Sequence, residues 1–290
     1  INAKDIVEYA HSYNIELIWG FAWGWDEKRC KNLMCLDDDI LAEMKKNIYE
    51  TYYSTWQGLG DGIYFQSFTE TEMDTLNGKC IAEVVTDFVN EVAGELLKKE
   101  PNLHIQFGLH ALSVHKYINF IANVDKRIEI LWEECGDFPY SYGVFNLCSE
   151  EKFEETVKFT KDIILLRGKD AKTGIVFKGH CTLDWTKKIK KKGPFILGEN
   201  SDFITEHDKY LRSSGWNTLS SGWIKNGDRA RRITELALEL DANVNLCMAG
   251  AYDGGIWLPM ALCADIFKNP CEDFNDILER VNAREIVEYK

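Results

Sequence analysis

Short apolar runs alternate with stretches of helical periodicity along most of this chain, and each run ends in polar, acidic or aromatic residues. The runs are Ile15–Ala22, Ile63–Gln66, Leu103–Gly108, Ile128–Trp132 and Gly174–Lys178. Their length and their β-branched and aromatic content predict strands. Between them the pattern predicts helices over Ala3–Ser12, from Asp37–Asp39 to about Tyr53, over Ile81–Lys98, over Val114–Ala122 and from Ser149 to about Leu166. Ile6, Val7 and Ala10 mark one face of the first helix, and Asn14 is its stop signal. The carboxylates Asp37–Asp39 suit the positive end of a helix, and Ser149 is a good N-cap.

Strand–helix alternation of this kind predicts parallel βα units. After the fifth run the rhythm breaks. Thr182–Gly198 reads as a hairpin, or its Phe195–Leu197 run as a further strand. From Arg229 the chain reads as mainly helical, with Asp253-Gly254-Gly255 as a turn before a helix over Leu258–Phe267. The expected fold is α/β, a (β/α)8 TIM-type barrel. Five strands are too few to close it, and a helix precedes the first of them, so the barrel is expected to be N-terminally truncated, with its first two strands missing. Residues 1–225 are read as the partial catalytic barrel and residues 226–290 as a helical C-terminal segment.

Composition narrows the function. The chain has 290 residues, 45% of them hydrophobic and 28% charged, enough to fill one large core. A formal net charge of −13 argues against nucleic-acid binding, which needs clustered basic residues. The one basic cluster, Lys187–Lys192, reads as capping a helix or facing solvent, not as an anion site. No apolar run has the length of a membrane span. Nine scattered cysteines, an odd number without zinc-finger spacing, read as reduced thiols of a cytoplasmic enzyme. A start at Ile1 inside a helical pattern reads as upstream truncation, so the lack of a visible leader carries no weight.

In a βα barrel the reactive groups sit at the C-terminal ends of the strands. Glu70 and Glu72 follow the second predicted strand; Glu133, Glu134 and Asp137 follow the fourth. Two carboxyl groups facing each other across a crevice are what glycosidic cleavage needs, one to protonate the leaving oxygen and one to activate water or attack. Glu70, with Glu133 or Glu134, is the candidate pair; Glu72 is read as lying beyond the pocket. Trp23, Trp25, Trp132 and Trp185 stand at the same edge, and indole rings pack well on the C–H faces of sugars. Trp19 is read as barrel core. His110, His180 and Lys178 are candidate donors to hydroxyl or carboxylate groups, and Asp26, Gln66, Asp184 and Glu199 are candidates for hydroxyl recognition. Each of these residues also has an ordinary structural reading: a solvated carboxylate, a core indole, a hydrogen-bonded histidine.

The segment from Gly62 to Thr69-Glu70 resembles the end of the fourth barrel strand in the α-glucuronidase family of glycoside hydrolases. That family carries Gly-x-x-x-x-x-x-Ser-Glu, with Thr here in place of Ser. The resemblance implies that Glu70 is the proton donor and that the reaction inverts configuration. It also agrees with counting this strand as the fourth. Gly255-Ile256-Trp257-Leu258-Pro259 followed by Asn269-Pro270 is similar to the helical tail of barrel hexosaminidases, whose Asp-Glu pair is replaced here by Thr69-Glu70. The expected function is therefore glycoside hydrolysis by paired carboxylates, without cofactor or metal. The expected partner is a carbohydrate substrate, with a homodimer as an option. A metal-dependent sugar isomerase or epimerase using Glu70, His110, Glu133 and His180, and a non-catalytic carbohydrate-binding barrel, are the alternatives.

Overall fold

The computed structural model describes residues 2–23, 36–69, 71, 73–110, 113–133, 149–177, 206–248 and 257–284. They form a mixed α/β structure whose main sheet is parallel, six-stranded and curled into half a barrel; eight α-helices accompany it among the described residues. Helix α1 (Ala3–Ser12) leads into β1 (Ile18–Gly20), and α2 (Asp38–Thr51) runs on through a π-helical turn (Tyr52–Trp56) toward β2 (Gly62–Gln66). A small hairpin, β3 (Thr75–Leu76) and β4 (Lys79–Cys80), precedes α3 (Ile81–Lys99) and β5 (His104–Leu109). A 3-10 turn (His115–Tyr117) and α4 (Ile118–Ile121) lead to β6 (Glu129–Trp132), followed by α5 (Glu150–Arg167) and β7 (Thr173–Phe177). The remainder comprises α6 (Glu206–Leu240), β8 (Asn245–Met248), α7 (Trp257–Lys268) and α8 (Phe274–Asn282).

All five predicted strands form and lie side by side in chain order, in a sheet ordered β1-β2-β5-β6-β7-β8. Each of the pairings β1–β2, β2–β5, β5–β6 and β6–β7 is parallel. Three elements differ from the sequence pattern. Strand β8 interrupts a stretch read as helical, since four residues are too short to establish a period. The predicted helix over Val114–Ala122 is a 3-10 turn followed by a single α-turn. The β3–β4 hairpin turns on Asn77-Gly78 with φ of 52° and 76°, the left-handed pair that a two-residue hairpin loop demands. No described helix is long and apolar enough to cross a membrane.

The chain divides into two compact units: Ile1–Glu133 with Phe159–Ile175 and Leu240–Asn245, and Glu134–Lys158 with Val176–Glu239 and Leu246–Lys290. In the first, α3 buries Ile81, Val85, Val89, Val92 and Leu96, a stripe at helical spacing. Arg167 is also buried there, with its guanidinium donating to the backbone carbonyls of Val124, Asp125 and Ile128. It closes a turn whose carbonyls would otherwise face apolar surroundings. In the second, Phe274 presses its ring against the backbone of α6 at Gly227, where a Cβ would lie 2.4 Å from the ring. Asp265, buried on α7, accepts from Arg280 and Arg284, tying α7 to α8.

Strand alternation sends neighbouring side chains to opposite faces. Trp19, Phe21 and Trp23 share the helix-facing side with Ile63, Phe65, Ile105, Phe107, Ile130 and Trp132, as the register requires. Phe65 stacks on Trp23 at 3.6 Å and on Phe107 at 5.2 Å between centroids, and all three are fully buried. Each such side chain contributes about 1.5–3 kcal/mol through burial. Trp19, read from the sequence as barrel core, instead belongs to this outer layer and stacks on Trp56 at 5.3 Å.

Candidate active site

The opposite face of the sheet is polar, an unusual choice for a parallel sheet, whose strands ordinarily read as continuous apolar runs. Register brings together Tyr64, Gln106 and Glu129 on one level, with Gln66, Gly108, Leu131 and Gly174 on the next. His110 and Glu133 follow directly at the C-terminal ends of β5 and β6, where the Glu133 N–H donates to the Leu109 carbonyl. Two polar layers result.

The layer nearer the N-terminal ends of the strands centres on Glu129, which is fully buried. His104 Nε2 lies 2.8 Å from its Oε2, Gln106 Nε2 donates to the same oxygen at 2.8 Å, and Asn245 Nδ2 donates to Oε1. Burial works to raise the Glu129 carboxyl, but the bonds from His104, Gln106 and Asn245 outweigh it and hold the group below its ordinary value. The same bond to Glu129 raises the His104 imidazole, against the effect of its own burial.

The layer at the C-terminal ends centres on Glu133, 6% exposed. Tyr64 Oη donates to Glu133 Oε1. Gln66 Nε2 donates to Oε2 at 2.5 Å, and His110 Nε2 lies 3.2 Å from the same oxygen. Gln66 Nε2 and His110 Nε2 are themselves 3.1 Å apart. Two inward glycines relieve close approaches, Gly108 beneath the long side chains of this layer and Gly62 against the backbone of β5 at His104. A Cβ on Gly108 would lie 2.3 Å from Tyr64 Oη and 2.4 Å from Glu133 Oε1, and one on Gly62 would lie 2.2 Å from the His104 carbonyl oxygen.

The segment entering position 70 is tied to β5 and the turn after it. Thr69 is fully buried; its hydroxyl accepts from the His110 N–H at 3.3 Å, and its carbonyl accepts from Ser113 Oγ at 2.7 Å. A hydroxyl at position 69 therefore has a structural task, one that serine would also meet.

Of the residues singled out in the sequence, Gln66, His110 and Glu133 converge. Trp23 and Trp132 do not join them. Trp23 is fully buried against Phe65, and Trp132 packs against Phe159 at 4.4 Å while its Nε1 donates to Thr160 Oγ1 at 3.0 Å. Strand parity is the reason: both indoles point toward the helices, so neither ring face is offered to a sugar. Glu70, Glu134, Trp25, Asp26, Lys178, His180, Asp184, Trp185 and Glu199 lie outside the described residues. Tyr64, His104, Gln106, Glu129 and Asn245 were missed by the sequence reading. The signal that finds most of them is polar residues at every second position, His104-x-Gln106-x-Gly108-x-His110 beside Tyr64-x-Gln66 and Glu129-x-Leu131-x-Glu133.

Among the described residues, no group of three or more His, Cys, Asp or Glu side chains is arranged to hold a metal ion. A separate hollow of about 340 Å³ opens at the N-terminal ends of β2 and β5, lined by Tyr52, Trp56, Asp61, Glu100 and Leu103 among others. Glu100 is already engaged there by Tyr52 Oη at 2.7 Å and Gln57 Nε2 at 2.9 Å, and Asp61 by His11 and the Leu17 N–H. It lies at the opposite strand ends from Glu133. Compared with models of known protein families the chain matches none, and no curated protein sequence matches it either.

Proposed function

We propose that this chain is a glycoside hydrolase acting through paired carboxylates, and that its curled parallel sheet is part of a (β/α)8 barrel. The observation that carries the reading is the convergence of Gln66, His110 and Glu133 at the C-terminal ends of adjacent parallel strands. This edge is where barrel enzymes gather reactive groups. In this reading Glu133 is the carboxylate that activates water or attacks the anomeric carbon. Glu70, which follows the buried Thr69 in sequence, is the proton donor to the leaving oxygen. Gln66 and His110 orient Glu133 and hydrogen-bond sugar hydroxyls. The α-glucuronidase resemblance of Gly62–Glu70 supports the assignment of Glu70 and makes uronides the first substrates to try.

The test is a panel of aryl glycosides, uronides included, assayed with the wild-type protein and with Glu133→Gln and Glu70→Gln. Removing either carboxylate is expected to lower kcat by roughly 10³-fold or more, on the scale of a lost catalytic group. Circular dichroism and the unfolding midpoint would confirm that both variants fold. Wild-type-like turnover by a folded Glu133→Gln protein would reject the reading.

A further inference from the structure

Residues 67–69, which follow β2, are buried as a run: Ser67 is 1% exposed, Phe68 3% and Thr69 0%. A loop ordinarily lies on the surface, because its backbone groups need water unless the protein supplies partners. Here Phe68 packs edge-on against Phe88 of α3 at 5.9 Å between centroids. The Thr69 carbonyl accepts twice, from Ser113 Oγ at 2.7 Å and from the Thr71 N–H at 2.9 Å, which fills both of its lone-pair directions. Past position 70 the chain is tied to the same stretch after β5, since Lys116 pairs with Asp74 at 2.8 Å. That pair lies at the surface, with the Lys116 side chain 74% exposed, and holds little; Ser113 is fully buried.

The Thr69 carbonyl belongs to the planar peptide unit that ends at the Cα of residue 70. A donor fixed on that oxygen therefore fixes the plane on which this Cα lies. We infer that Ser113 is a positioning residue for the proton donor at position 70, acting through the Thr69 carbonyl. This rests on the glycosidase reading, in which Glu70 is the acid, and deepens it by naming the residue that aims that acid. Without the Ser113 hydroxyl the carbonyl keeps only its bond from Thr71, which is local and holds nothing against the turn after β5. A displacement of about 1 Å at a reacting group costs about 10²-fold in rate.

Leaving-group dependence reads the acid alone. Cleavage of a phenyl glycoside needs a proton on its leaving oxygen, whereas the 2,4-dinitrophenyl group of the same sugar departs as a stable anion. In Ser113→Ala, kcat/KM is expected to fall roughly 10- to 100-fold on the phenyl substrate and less than about threefold on the dinitrophenyl one. Glu70→Gln should show the same selectivity with a larger loss. Circular dichroism checks that each variant folds. If Ser113→Ala does not, Ser113→Cys, whose thiol fills the space as a weak donor, is read by the same criterion. Equal losses on the two substrates would make Ser113 an ordinary structural residue and overturn the inference, as would unchanged kcat/KM on the phenyl substrate. Loss of this selectivity in Glu70→Gln itself would instead remove Glu70 as the acid. A wild-type protein inactive on every glycoside would bring down the glycosidase reading, and this inference with it.

Discussion

Glu129 offers the sharpest test of how the polar face is held together. Its two oxygens accept from His104, Gln106 and Asn245 in a site with no exposure to water. Glu129→Gln keeps the shape but removes the charge, and it turns an NH2 group toward at least one of three fixed donors. Breaking one partner out of a buried, hydrogen-bonded ion pair costs about 3–5 kcal/mol. The assay is urea unfolding of wild type and variant across pH, comparing midpoints at unchanged slope. The sign follows from the two partners. His104 is raised above its ordinary 6.5, so its contribution is complete below 6.5 and is lost as pH rises through the raised value. Glu129 is lowered below its ordinary 4.5, so its contribution is present above 4.5 and is lost as pH falls through the lowered value. The gap between wild type and variant should therefore be widest between pH 4.5 and 6.5 and narrow on both sides. A gap that is flat with pH, or smaller than about 0.5 kcal/mol, the spread of ordinary neutral surface changes, would refute the buried ion pair.

Two further outcomes follow from the packing. Gly62→Ala forces a Cβ to 2.2 Å from the His104 carbonyl oxygen and should cost about 1–3 kcal/mol or more, whereas Gly94→Ala on α3, with nothing within 4 Å, should stabilise by about 0.5–1 kcal/mol; thermal unfolding of the pair checks both signs. Burial lowers the Arg167 guanidinium to about 10, yet it serves three backbone carbonyls. Arg167→Met should leave those carbonyls unsatisfied at about 1–3 kcal/mol each, and hydrogen exchange should show early opening of the turn at Val124–Ile128.

The elements were largely legible because they are local. Ala3–Ser12 and the Ile81–Lys99 stripe are set by helical spacing, and the five strand runs by their apolar content and flanking punctuation. Strand β8 and the change of helix type near Val114 were not, because four or five residues carry too little periodicity to distinguish one state from another. The candidate site was legible in part. Gln66, His110 and Glu133 stand out as polar residues ending apolar runs, which is a property of the chain alone. Which way a tryptophan points is not such a property. Trp23 and Trp132 sit at the same sheet edge as the site, but strand parity assigns them to the helix layer.

What the sequence by itself determined is the alternation of strands and helices, and the chemistry available at the strand ends. What only the tertiary structure decided is register. Pairing Tyr64 with Gln106, and Gln106 with Glu129, puts residues far apart in the chain on one level, and the missing side chain at Gly108 then lets Tyr64 rise to Glu133. A shift of one residue would turn every one of these polar groups toward the helices, and no local signal in the chain forbids it. The energy of burying Phe65, Phe107 and Trp23 on the other face does.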